Sequence, residues 1–264
     1  MGLQCSRRAP RVPDEQELLQ LQKAEFLLRR PFSAESESDV QKLEALWGFF
    51  SLNDLDSEEH SITADHTRRR GSFRMVSPAW KNIGFQQENP LQDIRSGGTL
   101  AICNLDFFFR KYPDKVRTMC IRQQSVRLSS KYRRGYPFAT ASINVTRLVC
   151  RVFNLINKYG ARQNYEIVKL PYWHLLITPD INPFRSVVTK ANQPASGQER
   201  SQQQLDEEQV HLGEYINESL SPLHELYCSA FVLLDQEFRK ADALNMEFNL
   251  ILERTQELIE AALM

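Results

Sequence analysis

The chain has 264 residues, 33 basic and 33 acidic side chains, and a formal net charge of zero. That balance excludes bulk nucleic-acid binding, which needs a basic surplus, and leaves room only for a local basic patch. A hydrophobic fraction of 42% and a charged fraction of 25% belong to a globular protein with a substantial buried core.

The first residues read MGLQCS, followed by Arg7, Arg8 and Arg11. Gly2 is exposed once Met1 is removed, and Ser6 stands where N-myristoylation favours a hydroxyl. A single myristoyl chain binds a membrane only marginally, so stable anchoring needs a second signal. Cys5 as a palmitate acceptor and the basic cluster both supply one. The expectation is a dually acylated, flexible tether over 1–13. It would hold the protein at the cytoplasmic face of a plasma, Golgi or ciliary/flagellar membrane, unsecreted. The five cysteines, Cys5, Cys103, Cys120, Cys150 and Cys228, include no CxxC pair, so the internal four read as reduced thiols. There is no secretory leader pattern and no apolar run long enough to span a membrane.

From residue 14 to 264 the chain reads as one all-α domain. ELLQLQKAEFLLRR has leucines and Phe26 at helical spacing, and Pro31 stops it. Ser38 is placed to cap DVQKLEALWGFF, whose Val40, Leu43, Leu46 and Trp47 share a face. Residues 51–79 are polar and mixed. Within them RRRGS makes Ser72 a candidate phosphorylation site for a basophilic kinase, against the plainer reading of a solvated basic loop. WKNIGFQQENPLQDIRSGG, residues 80–98, is aperiodic and reads as neither helix nor strand. TLAICNLDFFFRKY is a strongly apolar helix after a Gly97-Gly98 turn, and residues 114–130 form another. A buried central helix runs over about 139–159, with Gly160 as its stop. Its Asn144 and Thr146 are expected to hydrogen-bond across the core. Residues of about 188–204 are poor in apolar side chains and read as an exposed loop or insertion. The last third is helical, with no repeat or sustained heptad.

Chemistry-bearing motifs are scarce. His60, Asp65 and His66 near Glu58 and Glu59 read as a solvated acidic loop, so no metal is expected. There is no phosphate loop, no dinucleotide fingerprint and no nucleophile elbow. The chain therefore does not read as a nucleotide-binding or self-contained hydrolytic enzyme, and no cofactor is expected.

The segment from Trp80 to Phe109 is different. Trp80, Ile83, Gly84, Phe85, Gln86, Pro90, Asp93, Arg95, Gly98, Leu100, Leu105 and Phe108 stand in the order and register that resembles the signature of the ELMO (engulfment and cell motility) domain family. YPFATASINVTRL, LYCSAFVLLDQEF and MEFNLIL resemble later family segments, so the likeness runs from about residue 40 to the end. Two positions depart from the pattern. Ile94 replaces a phenylalanine, and Ser96 replaces a glycine, which matters if the backbone there needs positive φ.

The resemblance implies a GTPase-activating protein for an Arf-family or Arf-like small GTPase, more an activator of a partner's hydrolysis than an enzyme with its own substrate. GTP and Mg²⁺ would come with that partner. It implies a catalytic role for Arg95, as a cation supplied in trans where charge builds on the phosphates. Trp80, Ile83, Gly84, Phe85, Gln86, Pro90, Asp93 and Gly98 then support the loop. A structural alternative stands beside it: Arg95 pairs with Asp93 or caps the following helix. So does a non-catalytic adaptor, binding a small GTPase or a guanine-exchange partner at a membrane, in membrane traffic or the cytoskeleton. Larger relatives of adaptor type carry regions for which this length leaves no room, which favours the activator.

Overall fold

The computed structural model describes residues 15–51, 73–129, 135–153, 155–156 and 221–263. Among them there is no β-strand, and the class is all-α. The helices are α1 (Glu15–Arg29), α2 (Glu37–Ser51), α3 (Trp80–Ile83), α4 (Leu91–Ile94), α5 (Gly98–Lys111), α6 (Pro113–Ser129), α7 (Phe138–Val152), α8 (Ser221–Lys240) and α9 (Phe248–Leu263). A 3₁₀ turn, Asn245–Glu247, precedes α9. No described helix is long and apolar enough to cross a membrane. The chain divides into two compact units, one comprising 27–144 and the other 1–26 with 145–264.

In the 27–144 unit, α5 packs against α2, α4 and α6. It can do so because its apolar residues cover more than one face: Leu100, Ile102, Leu105, Phe107, Phe108 and Phe109 are all buried. A helix that is apolar most of the way round belongs inside a core. Arg110 and Lys111 lie in its last turn, where the helix dipole favours cations. Pro113 then opens α6 at a position where a missing N–H costs nothing.

The α1–α2 connection is held by Asp39, which is fully buried. Its carboxylate accepts from the Arg30 guanidinium and from Ser33 N at 3.1 Å. Ser38 does not cap α2. The helix starts at Glu37, with Asp39 N and Val40 N donating to Ser36 O, both at 3.0 Å. Ser38 is therefore already inside the first turn, where its hydroxyl accepts from Lys42 Nζ at 2.8 Å.

The other unit holds α8 and α9, packed on each other. Leu223, Tyr227, Phe231 and Leu234 of α8 are fully buried. Its C-terminus closes through Asp242 at φ 47°, with Ala243 N donating to Phe238 O at 3.1 Å. That six-to-one bond across a left-handed residue is a standard way to satisfy terminal carbonyls, and a short acidic side chain tolerates the conformation. Glu247 Oε2 then accepts from Leu244 N at 2.7 Å, starting the 3₁₀ turn.

Two further expectations need correction. The buried helix ends at Val152, not near 159. Leu155 N reaches back five residues to Cys150 O at 2.8 Å, which closes the ladder. Val152, Phe153, Leu155 and Ile156 all stay buried, so hydrophobicity runs past the helix end and conceals it. Asn144 does not bond across the core; its Nδ2 donates to Thr140 O, one turn back on α7, at 3.0 Å. Phe26 and Leu19 lie on the outward face of α1, while Leu21 and Ala24 are buried. The tether at 1–13, Gly2, Cys5, Ser72 and the 188–204 segment lie outside the described residues.

Candidate functional site

The stretch 80–98 is not shapeless. It contains two single helical turns, α3 and α4, joined by a polar loop. Four-residue helices are unstable alone because nucleation fixes several dihedrals for one hydrogen bond. Packing must supply the difference, and here it is aromatic. Trp80 is fully buried. Its ring meets Trp47 edge-on at 5.0 Å and Phe85 at 5.4 Å with an interplanar angle of 89°. Its Nε1 donates to Arg74 O at 3.0 Å, so the polar edge of the indole is satisfied.

Gly84 ends α3 at φ 97°. Any Cβ there would lie 2.3 Å from Phe138 N. The close approach is used, because Gly84 O accepts from Thr140 N at 3.2 Å and from Thr140 Oγ1 at 3.1 Å. The first turn of α7 is thus clamped to the loop. Beyond it, Phe85 is buried while Gln86, Gln87 and Glu88 are exposed. Gln86 supports the loop through its backbone N–H and not through a packed side chain. Pro90 is buried, and Asn89 Oδ1 accepts from Leu91 N at 3.1 Å, an Asx turn that starts α4.

In and around α4, residues 90, 94 and 97 are buried, while 92, 95 and 96 are exposed. That is one helical turn seen from its two sides. Ile94 is fully buried despite being smaller than the phenylalanine of the signature pattern. Arg95 follows at φ −48°, ψ −28°, its N–H donating to Leu91 O at 3.3 Å. Its side chain is exposed and has no hydrogen-bond or ion-pair partner among the described residues. Arg95 does not pair with Asp93, as the structural alternative would have it. The Asp93 carboxylate is engaged elsewhere, accepting from Gln86 N at 2.7 Å and Gln87 N at 3.3 Å. Glu88, the other acid between residues 73 and 98, pairs with Lys81 at 3.0 Å.

Ser96 carries no backbone strain, since Asp242 alone among the described non-glycine residues has positive φ. The left-handed position falls at Gly98, φ 58°. A Cβ on Gly98 would sit 2.1 Å from Leu28 O. Thr99 N and Thr99 Oγ1 donate to Arg30 O at 3.0 and 3.1 Å, fastening the start of α5 to the end of α1. Arg95 therefore projects from a turn held on both sides.

The sequence pattern of the ELMO/CED-12 family matches residues 22–252. The chain belongs to the ELMO/CED-12 family. It is 27% identical over 188 residues to ELMO domain-containing protein A of Dictyostelium discoideum, covering 71% of this chain and 16% of that protein. ELMO domain-containing protein C of the same organism is 32% identical over 83 residues, or 31% of this chain and 12% of that one. Human ELMO domain-containing protein 2 is 32% identical over 73 residues, 28% of this chain and 23% of that one. The chain thus spans less than a quarter of the length of each of these ELMO proteins. No solved structure matches it.

Among the described residues of this ELMO domain, the other chemically distinctive groups are buried or half-buried. No described group of three His, Cys, Asp or Glu residues is placed to hold a metal. Burial pushes the Cys103 thiol up to about 11 and Cys150 up to about 12, so neither is an activated nucleophile. Burial, with the nearby Lys23 charge adding to it, pushes His224 down to about 3. Burial likewise raises the Asp106 carboxyl, against the opposing pull of Arg110 at 2.8 Å. Reading the sequence alone missed Asn89 and Thr140. An Asn-Pro pair was the available signal for the first; nothing local marks the second.

Proposed function

We propose that this ELMO domain is a GTPase-activating protein for an Arf-family or Arf-like small GTPase, with Arg95 entering the partner's nucleotide site. The supporting observation is the state of Arg95. It is exposed, with no partner among the described residues, at the end of a turn held by the buried Ile94 and by the Asp93–Gln86 hydrogen bond. An arginine left unneutralised on a rigid base suits trans stabilisation of phosphoryl-transfer charge. Its planar, permanently charged fork can bridge phosphate oxygens, and its weak hydration lowers the cost of entering a closed site. The partner carries GTP and Mg²⁺, so this chain needs no phosphate loop of its own. The activity is exerted at the cytoplasmic face of a membrane, with Gly2 and Cys5 as acylation sites. Confinement to that surface raises the effective concentration of a membrane-bound partner.

The test is single-turnover GTP hydrolysis by a panel of Arf-like GTPases. Arg95→Ala should lose at least about 100-fold of the stimulation, while half-saturation stays within about threefold. Arg95→Lys should recover little, because a point charge does not replace the fork. Arg74 is also exposed, without an ion pair among the described residues, and Arg74→Ala serves as the control that keeps full activity. An Arg95→Ala protein that stimulates like wild type sinks the proposal. Wild-type protein that binds the GTP-loaded partner without stimulating it establishes the adaptor instead. For the anchor, Gly2→Ala should move the protein to the soluble fraction of a cell lysate, and unchanged membrane retention would remove acylation from the account.

A further inference from the structure

Asp93 is two residues before Arg95, and on a helical turn such neighbours do not face each other. Asp93 lies on the flank of α4 that meets the 84–88 loop, where one carboxylate oxygen, Oδ2, takes two successive backbone N–H groups, Gln86 at 2.7 Å and Gln87 at 3.3 Å. Bonds from N–H groups to an ionised carboxylate are among the stronger ones available to a protein. Consecutive N–H groups converging on one anion also fix the local backbone. The main-chain oxygen of Asp93 accepts from Ser96 Oγ at 3.3 Å, which ties the residue on the far side of Arg95 to the same turn.

Two consequences meet at Arg95. The loop is drawn onto α4, so the base of the arginine is set. The acid closest in sequence is also occupied, so it does not pair with the guanidinium. We infer that Asp93 is a positioning residue for Arg95, acting by clamping the Gln86–Gln87 backbone. This rests on the reading of Arg95 as a group supplied in trans. Asp93 touches no reacting atom; it governs how often the arginine is presented free and correctly aimed. Misplacement by about 1 Å can cost on the order of 100-fold in rate, which sets the scale.

The experiment is a double-mutant cycle on stimulated GTP hydrolysis, using full-length protein and whichever Arf-like GTPase the panel identifies. Asp93→Ala should reduce maximal stimulation by about 10–100-fold with half-saturation within about threefold. Asp93→Asn keeps one acceptor oxygen and should recover part of the loss. In Asp93→Ala/Arg95→Ala the loss should equal that of Arg95→Ala alone, because a residue acting through another adds nothing once that other is gone. Amide exchange followed by NMR gives a partner-free readout: Gln86 N–H should lose protection in Asp93→Ala while the α5 and α7 amides keep theirs.

Full stimulation by Asp93→Ala, or losses that multiply in the double variant, overturns the positioning role and leaves Arg95 untouched. If Asp93→Ala does not fold, the cycle is run with Asp93→Asn, and the same two outcomes decide. If Arg95→Ala alone costs nothing, the reading of Arg95 fails and the inference falls with it.

Discussion

In the C-terminal helices every basic side chain has an acid beside it. Arg239 meets Asp235 at 3.3 Å, Lys240 meets Glu237 at 3.7 Å, and Arg254 meets the same Glu237 at 3.0 Å. In the 73–98 segment both acids are engaged, one by a lysine and one by backbone amides, and Arg74 and Arg95 are left without an acid among the described residues. Both regions bury large aromatic side chains. Their cations are arranged to different ends: each arginine and lysine of α8 and α9 meets an acid, while the arginine that caps α4 meets none among the described residues. The half-buried pairs offset each other's loss of hydration and contribute modestly to stability. An exposed arginine with no described partner does neither, so its place in a tightly held turn points outward.

The comparison can be broken at its frame first. Trp80→Ala removes a fully buried indole that meets three aromatic rings and should cost about 3–5 kcal/mol, read as a shift in the urea unfolding free energy. Next in size, Gly98→Ala places a Cβ against Leu28 O at 2.1 Å in a left-handed conformation. A loss of about 3 kcal/mol is expected from strain plus displacement of the α1–α5 fastening. A loss below about 1 kcal/mol would show that the fastening gives way freely, and the base under Arg95 would not be rigid.

The C-terminal side is sharpened by pH. Folded His224 titrates near 3, against an ordinary value of 6.5. Between those values the unfolded chain binds a proton that the folded chain refuses, so stability rises with pH and is lost on acidification. From pH 7.5 to 5.5 the wild type should lose about 1.4 kcal/mol from this group. His224→Gln should lose correspondingly less over the same interval, measured by urea unfolding at each pH. Equal slopes in the two proteins would place the histidine outside the interior. The smallest effect is the most telling for the contrast. Arg95→Ala should leave stability within about 0.5 kcal/mol of wild type. Arg254→Ala, which leaves a largely buried Glu237 with only the more distant Lys240 at 3.7 Å, should cost measurably more, on the order of 1–2 kcal/mol. Equal costs would mean that Arg95 has a structural role after all.

The long helices were legible because periodicity and dense apolar stretches extend over three or more turns. Leu43, Leu46, Leu100, Leu105 and Phe108 all sit inside as their spacing requires. Single turns were not legible. Trp80–Ile83 and Leu91–Ile94 are too short to show a period, and they exist because a buried indole, a glycine and an Asx turn hold them. Ser38 was misplaced because a good capping residue lay within two positions of the true start. The end of α7 was misjudged because burial continues past Val152 after the helical ladder has closed.

By itself the sequence determined the all-α class, the order of the main helices, the family, and the identity of the arginine in its signature. Those follow from residue type and spacing along the chain. Only the tertiary structure decided that Asp93 binds Gln86 and Gln87 instead of Arg95, that Ser96 needs no left-handed backbone, and that Gly84 and Gly98 admit α7 and α1 at contact distance. An acid two residues from an arginine is equally compatible with pairing and with separation. The choice rests on which backbone N–H groups folding brings within reach of the carboxylate, and here those belong to a loop that begins seven residues upstream.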